Sequence, residues 1–327
     1  MNGSLSPYDW ARLNRDVDAA PSILNTRPWL FSSAPGDRIE LRPHWGRHLA
    51  AIDPRHRELL ISCGAALFNL RLAIRVTGHD PVVWLLPDQT ASASVCAHCG
   101  DRCGVGSLLA SVEIILRRAH PATITEQRLY EAIPQRHTAR QPFGRPIRMN
   151  MLAELEQVAR MEGAEARLLP RGEARHLIRE AAQADGRLSL DPRCRAEIGN
   201  WAGTDLAAGL GVPLSKFGPK PKEGHYPPVR DFGPPSPDPR AVRKFEKHPQ
   251  LIALETRTDT PSDWLRAGQA LQRLLLTATY YGVQASFLTQ QLEDKDRDVH
   301  SCHTDHQWWP WPRPTQMIIR VGGQTGT

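Results

Sequence analysis

The sequence predicts an α+β protein, and three observations carry that reading. Each half of the chain holds one long helix with an apolar stripe. Short apolar or β-branched runs stand around both helices. The 327 residues, 40% apolar and 23% charged, suffice to bury a core of about two domains or one large one. The same composition excludes collagen-like, fibrous and disordered chains.

Taken in order, the elements begin with a helix over the stretch opening at residue 16 and ending near Ala19-Ala20-Pro21-Ser22. An irregular segment bracketed by Pro21 and Pro28 follows it. Trp29 to Ser33 and Arg38 to Arg42 flank Pro35-Gly36-Asp37 as a hairpin. From Glu58 to Val76, Leu60, Cys63, Leu67, Leu70 and Ile74 recur at helical spacing, and Gly78 is placed to stop the helix. Cys63 lies on that stripe and reads as a small core residue. Pro81 to Leu86 and Val112 to Leu116 read as strands on either side of a Cys- and Ser-rich insert near 89–107.

Glu126 to Pro134, Met149 to Met161 and Gly172 to Ala184 read as helices, with a strand at Ala166 to Leu169. Nine prolines between Pro213 and Pro239 remove too many N–H donors for a helix or inner strand, so this stretch is a long loop serving as a cover or lid. Gln250 to Arg257 is a strand. Ser262 is placed to cap a second central helix from Asp263 to Tyr281, whose stripe runs through Trp264, Ala267, Leu271, Leu274 and Ala278 to the stop at Gly282. Strands at Ala285 to Thr289 and Gln316 to Val321 complete the series.

Forty-one Lys and Arg against 35 Asp and Glu leave a net charge of +6, interspersed along the chain rather than gathered in a basic arm. With no helix-turn-helix, basic zipper or RNP pattern, nucleic acid is not an expected partner, and a small anionic ligand suits the excess. No run approaches the roughly 18–20 uninterrupted apolar residues of a membrane span. Met1 to Trp10 lacks a signal-peptide layout, so the expected location is the cytoplasm. The six cysteines then read as free thiols or metal ligands.

Two segments carry candidate chemistry. Arg136-His137-Thr138-Ala139-Arg140 places two guanidinium groups and a hydroxyl on alternate residues, so an extended backbone aims all three to one side, with no carboxylate from Gln135 to Pro146 to compete for them. That pattern fits an anion; a solvated basic loop is the alternative. Pro21-Ser22-Ile23-Leu24-Asn25-Thr26-Arg27-Pro28-Trp29 offers polar groups on a proline-stiffened loop suited to the edge of a planar heterocycle, or else is an ordinary helix-to-strand connection.

Two further clusters contain metal-binding residue types. Cys96, Cys99 and Cys103, with His98 between, have spacing compatible with zinc but no clear fourth ligand, so zinc is the minor reading and would staple a surface loop. His300, Cys302, His303 and His306 stand before Trp308-Trp309-Pro310-Trp311-Pro312 and read as a surface loop packed under aromatics rather than a metal site. Cys194 carries no signal.

Taken together, four blocks in order along nearly the whole chain resemble the Acg-type branch of the nitroreductase superfamily. They are Pro21-Ser22-x-x-Asn25-Thr26-x-Pro28-Trp29, the run from Asp53-Pro54 through Arg57-Glu58 to Leu67, Arg136-His137-Thr138-x-Arg140-x-Pro142-Phe143, and Asp263 to Leu271. The resemblance implies a nitroreductase-like fold in which two halves, 1–124 and 125–327, are fused so that one monomeric chain forms an intramolecular pseudo-dimer. It implies FMN as cofactor, held at its phosphate and ribityl chain by Arg136 and Thr138 and at its pyrimidine edge by Arg140. Pro21, Ser22 and Asn25 would line the ring from the other half, beside Arg27. Hydride from NADH or NADPH would enter flavin N5 and two electrons would leave to a nitro, quinone or similar small-molecule acceptor, with no side-chain nucleophile required.

The chain departs from the family at two places. Arg27 stands where relatives carry Gln, replacing a donor-acceptor amide by a fixed cation. It also stops at Thr327, where relatives continue into a basic tail that can help hold the phosphate, which implies weaker FMN retention. The same branch contains proteins described as burying FMN beneath a lid, which the stretch around Pro227-Pro228-Val229-Arg230-Asp231-Phe232 resembles. A non-catalytic FMN-sequestering protein is therefore the second expectation. A metal-stapled interaction module with a vestigial flavin site is the third.

Overall fold

The computed structural model describes residues 7–87, 108–115, 120–203, 209–222, 229–232, 238–297 and 313–324. The first helix is α1 (Pro7–Asp18), and the hairpin strands are β1 (Trp29–Ala34) and β2 (Arg38–Pro43). The long helix α2 (Arg57–Val76) is followed by β3 (Asp80–Leu85), β4 (Ala110–Ile115) and α3 (Ile124–Ala132). After α4 (Met149–Arg160) and β5 (Glu165–Leu168) come α5 (Arg171–Leu190) and α6 (Pro192–Trp201). Two-residue strands β6 (Ala202–Gly203), β7 (Val212–Pro213), β8 (Lys220–Pro221) and β9 (Val242–Arg243) punctuate the proline-rich stretch. The chain then returns through β10 (Gln250–Glu255), α7 (Pro261–Tyr280), β11 (Gln284–Phe287), α8 (Gln290–Asp296) and β12 (Thr315–Gly322).

Two four-stranded sheets result, ordered β1-β2-β4-β3 and β11-β12-β10-β5, with every neighbouring pair antiparallel. The α+β class is therefore observed. Helices α2 and α7 cross between the sheets at Gly64 and Gly268. A Cβ on Gly268 would lie 2.0 Å from the Ile61 carbonyl oxygen and one on Gly64 2.2 Å from that of Leu265, so only glycine permits this approach. One hydrophobic core runs continuously from Leu60, Leu67 and Ile74 of α2 to Leu271 and Leu274 of α7. Although α2 is long and apolar enough by composition to cross a membrane, it is the most enclosed helix of this core.

Several boundaries differ from expectation. The first helix lies earlier than residue 16 and ends at Asp18, because Ala20 precedes a proline that disfavours helical geometry. Thr260, not Ser262, caps α7: its hydroxyl accepts from the Asp263 N–H while Asp263 reaches back, and Pro261 occupies the first turn where its missing N–H costs nothing. Helix α5 extends to Leu190. Helix α6, opened by Asp191 and Pro192, and the short α8 were not anticipated. Cys63 is fully buried, as expected, and its thiol donates to the Pro28 carbonyl at 3.3 Å. The insert near 89–107 and the segment containing His300, Cys302, His303 and His306 lie outside the described residues.

Candidate functional site

Between the α2–α7 pair and the proline-rich stretch lies a cavity of about 540 Å³, and the segment after α3 forms one of its walls. A Thr123–Glu126 capping box fixes the start of α3, and Pro134 sits in the short turn that ends it. Arg136 leaves that turn with extended backbone (φ −65°, ψ 127°), and the Ala139 N–H donates to the Ala285 carbonyl of β11 at 2.8 Å. Ala139 is thereby buried while Arg136, Thr138 and Arg140 on alternate positions line the cavity, with His137 at its rim.

The wall is clamped from behind. The fully buried Arg320 donates to both Glu246 carboxylate oxygens (2.6 and 2.8 Å) and to the Gln141 carbonyl (3.1 Å), while Glu246 accepts from the Phe143 N–H at 3.1 Å. In front, Gly218 at φ +84° lets the cover approach, since a Cβ there would fall 2.6 Å from the Arg140 carbonyl oxygen.

The facing wall is the loop from Pro21 to Asn25. Leu24, Asn25 and Arg27 adopt left-handed φ of 43°, 55° and 49°, a costly arrangement for side-chain-bearing residues that surrounding bonds must hold. Ser22 Oγ accepts from the Arg27 N–H (3.0 Å), and the Ile23 N–H donates to Ser62 Oγ (3.1 Å). The Asn25 amide donates to the carbonyls of Gly211 (2.9 Å) and Gly209 (3.3 Å), and the Gly211 N–H returns a bond to the Asn25 carbonyl at 3.1 Å. Asn25 thus ties the loop to the cover.

Six of the seven residues singled out in the sequence (Pro21, Ser22, Asn25, Arg136, Thr138 and Arg140) line the one cavity. Arg27 does not. Its guanidinium pairs with Asp18 at 3.4 Å and lies beside Gly209, because the left-handed turn sends the side chain back toward α1.

Neither Arg136 nor Arg140 pairs with a carboxylate among the described residues. Arg136 has only a 3.4 Å contact to the Ala19 carbonyl, and its buried Nε has no partner. Arg140 donates to the Lys216 carbonyl at 3.0 Å and lies 5.0 Å from the Phe232 ring. Burial pushes Arg136 down to about 10; Arg140 falls to about 10 through burial and then the positive charges of Arg230 and Arg136. An anion placed here would relieve both.

The floor is ionic in the opposite sense, and sequence reasoning did not single it out as a site. Glu58 of α2 and Gln290 and Glu293 of α8 are buried in it, and Arg230 of the cover reaches down to ion-pair with Glu293, with Asp185 3.9 Å away. Phe232 packs on Phe217 with ring centroids 5.0 Å apart and closes the cavity beside Arg230. Glu58 and Arg230 fall within sequence blocks already noted, whereas α8 carried no local signal that would expose Gln290 or Glu293. Cys96, Cys99 and Cys103 lie outside the described residues; among those described, no group of three metal-ligating side chains is assembled.

No family model matches the chain. A Mycobacterium tuberculosis protein provisionally named an NAD(P)H nitroreductase is 30% identical over 306 residues, covering 93% of this chain and 81% of the relative. The M. tuberculosis protein Acg, provisionally named in the same way, is 24% identical over 308 residues, covering 93% and 85%. Among solved structures, a Bacteroides fragilis nitroreductase with bound FMN aligns at 12% identity and TM-score 0.34, covering 60% of this chain and 88% of its own. An Anabaena variabilis nitroreductase-type protein aligns at 10% and 0.40, covering 98% and 90%.

Proposed function

The chain belongs to the Acg-type branch of the nitroreductase superfamily, and from that membership we propose that it is an FMN-binding NAD(P)H oxidoreductase passing two electrons to a nitro, quinone or similar small acceptor. The observation that carries this reading is the pair Arg136 and Arg140, half-buried at the cavity wall without carboxylate partners among the described residues, the Arg136 Nε being buried and unpartnered. A buried cation left unpaired is costly, and a phosphate is the partner that planar guanidinium donors fit best.

The remaining residues fit FMN as well. Ile23, Leu24, Ile61, Leu271 and Met317 give the cavity apolar walls for a ring system, while Ser22 and Thr138 supply hydroxyls at its edges. On this reading Arg136 and Thr138 hold the phosphate and ribityl chain, and Arg140 faces the pyrimidine edge, where its charge favours the reduced, anionic form. FMN supplies reversible two-electron chemistry between a nicotinamide and an acceptor. The chain contributes position, charge and exclusion of water.

We read the two antiparallel sheets, each with its long helix, as fused nitroreductase-like halves, residues 1–124 and 125–327. One chain then takes the place of a homodimer, and Pro21–Asn25 and Arg136–Arg140 come from opposite halves of a single site. A monomeric cytoplasmic enzyme without nucleic-acid or membrane partners follows from the same reading.

One observation favours a second reading, flavin sequestration. Arg230 and Phe232 of the cover are both buried against the cavity, through Glu293 and Phe217 respectively. An anaerobic visible spectrum of FMN-loaded protein separates the two. Bleaching of the oxidised band by NADH or NADPH at a catalytic rate is the expected result. A band that persists with either nicotinamide but yields to dithionite establishes sequestration, and failure to retain FMN overturns both readings.

A further inference from the structure

The cavity floor contains more acid than its bases neutralise. Arg230 lines the cavity with Glu58 and Glu293, and behind this lining Arg55 and Arg57 stand among Asp53, Asp185, Asp259 and Asp296. Lys295 adds one cation, which interacts with Asp296 and Glu180, and acids still outnumber bases. The strongest contacts of the bases go elsewhere than Glu58. Arg57 donates to Asp296 at 2.6 Å and to the Gln316 carbonyl at 2.5 Å, leaving Glu58 a contact of 3.2 Å. Arg230 is taken by Glu293, whose other oxygen accepts from Thr289 at 2.9 Å.

Of the two carboxyls that line the cavity, Glu58 therefore has the weaker claim on a cation. One turn before Glu293, Gln290 lines the same cavity at 2% exposure, with an amide oxygen that has no hydrogen-bond partner, an unfilled acceptor that points to a ligand.

We propose that Glu58 is the proton donor to the electron acceptor that enters this cavity, with Glu293 the neighbour that keeps the proton on it; the proposal rests on the oxidoreductase reading above. Burial, then the negative charge of Glu293, hold the Glu58 carboxyl well above the ordinary range; Arg57 and Arg230 oppose them and Asp53 adds to them. Arg136 and Arg140 line the cavity beyond, and Asp185 and Asp296 stand behind the two arginines.

For a quinone the balance is simple. The electron pair arrives as hydride, drawn from a nicotinamide that is oxidised. The Glu58 O–H bond breaks as a new O–H forms on a quinone oxygen, giving the hydroquinone. The Glu58 carboxylate recovers its proton from water. A positioned acid of this kind accelerates proton transfer by roughly 10²–10⁴-fold.

The first test needs no cofactor. Infrared spectra of the unloaded protein at pH 7 should contain a protonated-carboxyl band that Glu58→Gln removes. In Glu293→Gln the band should vanish at lower pH than in the wild type, because a repelling charge is lost and Arg230 is released. Absence of a Glu58 band at pH 7 overturns the proposal.

The second test loads the protein with FMN, reduces it with dithionite and mixes it with 1,4-benzoquinone. Glu58→Gln should slow the transfer about 100-fold and flatten its pH profile, whereas the wild-type rate should fall as Glu58 loses its proton. An unchanged rate in the variant, or no transfer in the wild type, overturns the proposal. Because dithionite replaces the nicotinamide, a Glu58-dependent transfer in a protein that NADH and NADPH cannot reduce sinks the nicotinamide reading and leaves the proton donor standing.

Discussion

On one side of the cavity Arg136 and Arg140 carry their charges with no carboxylate partner among the described residues. On the other, Arg55, Arg57 and Arg230 are bound by Asp259, Asp296, Glu58, Glu293 and Asp185. The residue type is the same, with Arg57 and Arg230 buried and Arg136 and Arg140 half-buried, yet the two walls are built for different ends. A guanidinium already matched to carboxylates in the chain belongs to the scaffold, and removing it strands buried anions. A guanidinium left unmatched at a cavity is stabilised only when something else brings the negative charge. Partnering separates a structural arginine from a binding one.

That contrast can be broken most forcefully at Arg57. Arg57→Met should destabilise the protein by about 3–5 kcal/mol, because Asp296 loses a buried partner; urea unfolding reads this directly, and a loss below about 1 kcal/mol would erase the distinction between the walls. Next in size, Arg136→Met should weaken FMN binding by about 1.5–3 kcal/mol, or about ten- to a hundredfold, the worth of a charged hydrogen bond. Its unfolding free energy without FMN should stay within about 0.5 kcal/mol of wild type or rise. Fluorescence titration and urea unfolding of one variant supply both numbers, and unchanged FMN affinity would remove Arg136 from the site.

The smallest effect concerns pH. Burial, acting against Arg230, raises Asp185 to about 6. Between about pH 4 and 6 the folded chain therefore binds more protons at this group than the unfolded one, and its contribution to stability declines as pH rises. Asp185→Asn should make the fall in unfolding free energy across that window shallower. An unaltered slope would separate Asp185 from the acidic floor.

Much of this arrangement is legible in the sequence because it is local. The stripes of α2 and α7 are set by 3- and 4-residue spacing, and the stops at Gly78 and Gly282 by their left-handed φ of 84° and 70°. Arg136, Thr138 and Arg140 share a face because extended backbone alternates. The cap of α7 was misplaced by two residues because Thr260 and Ser262 are both good caps, and only the reciprocal bond from Asp263 chooses between them. Helix α8 was missed because seven residues are too few to show a period.

The sequence alone determined the two central helices and most strands, the α+β class, the two candidate segments and the likeness to a family, since each depends on residues near one another in the chain or on a pattern repeated among relatives. The tertiary structure decided which of those segments face one cavity, that Arg27 turns away to Asp18, and that Glu58, Gln290, Glu293 and Arg230 meet at its floor. The meeting at the floor depends on contacts between residues far apart in the chain, such as Arg230 with Glu293 at a separation of 63, and even the nine-residue contact of Arg27 with Asp18 depends on a left-handed turn that no local pattern announces. The energy of a charge is fixed by the groups that packing brings to within a few ångströms of it, and no local pattern records that.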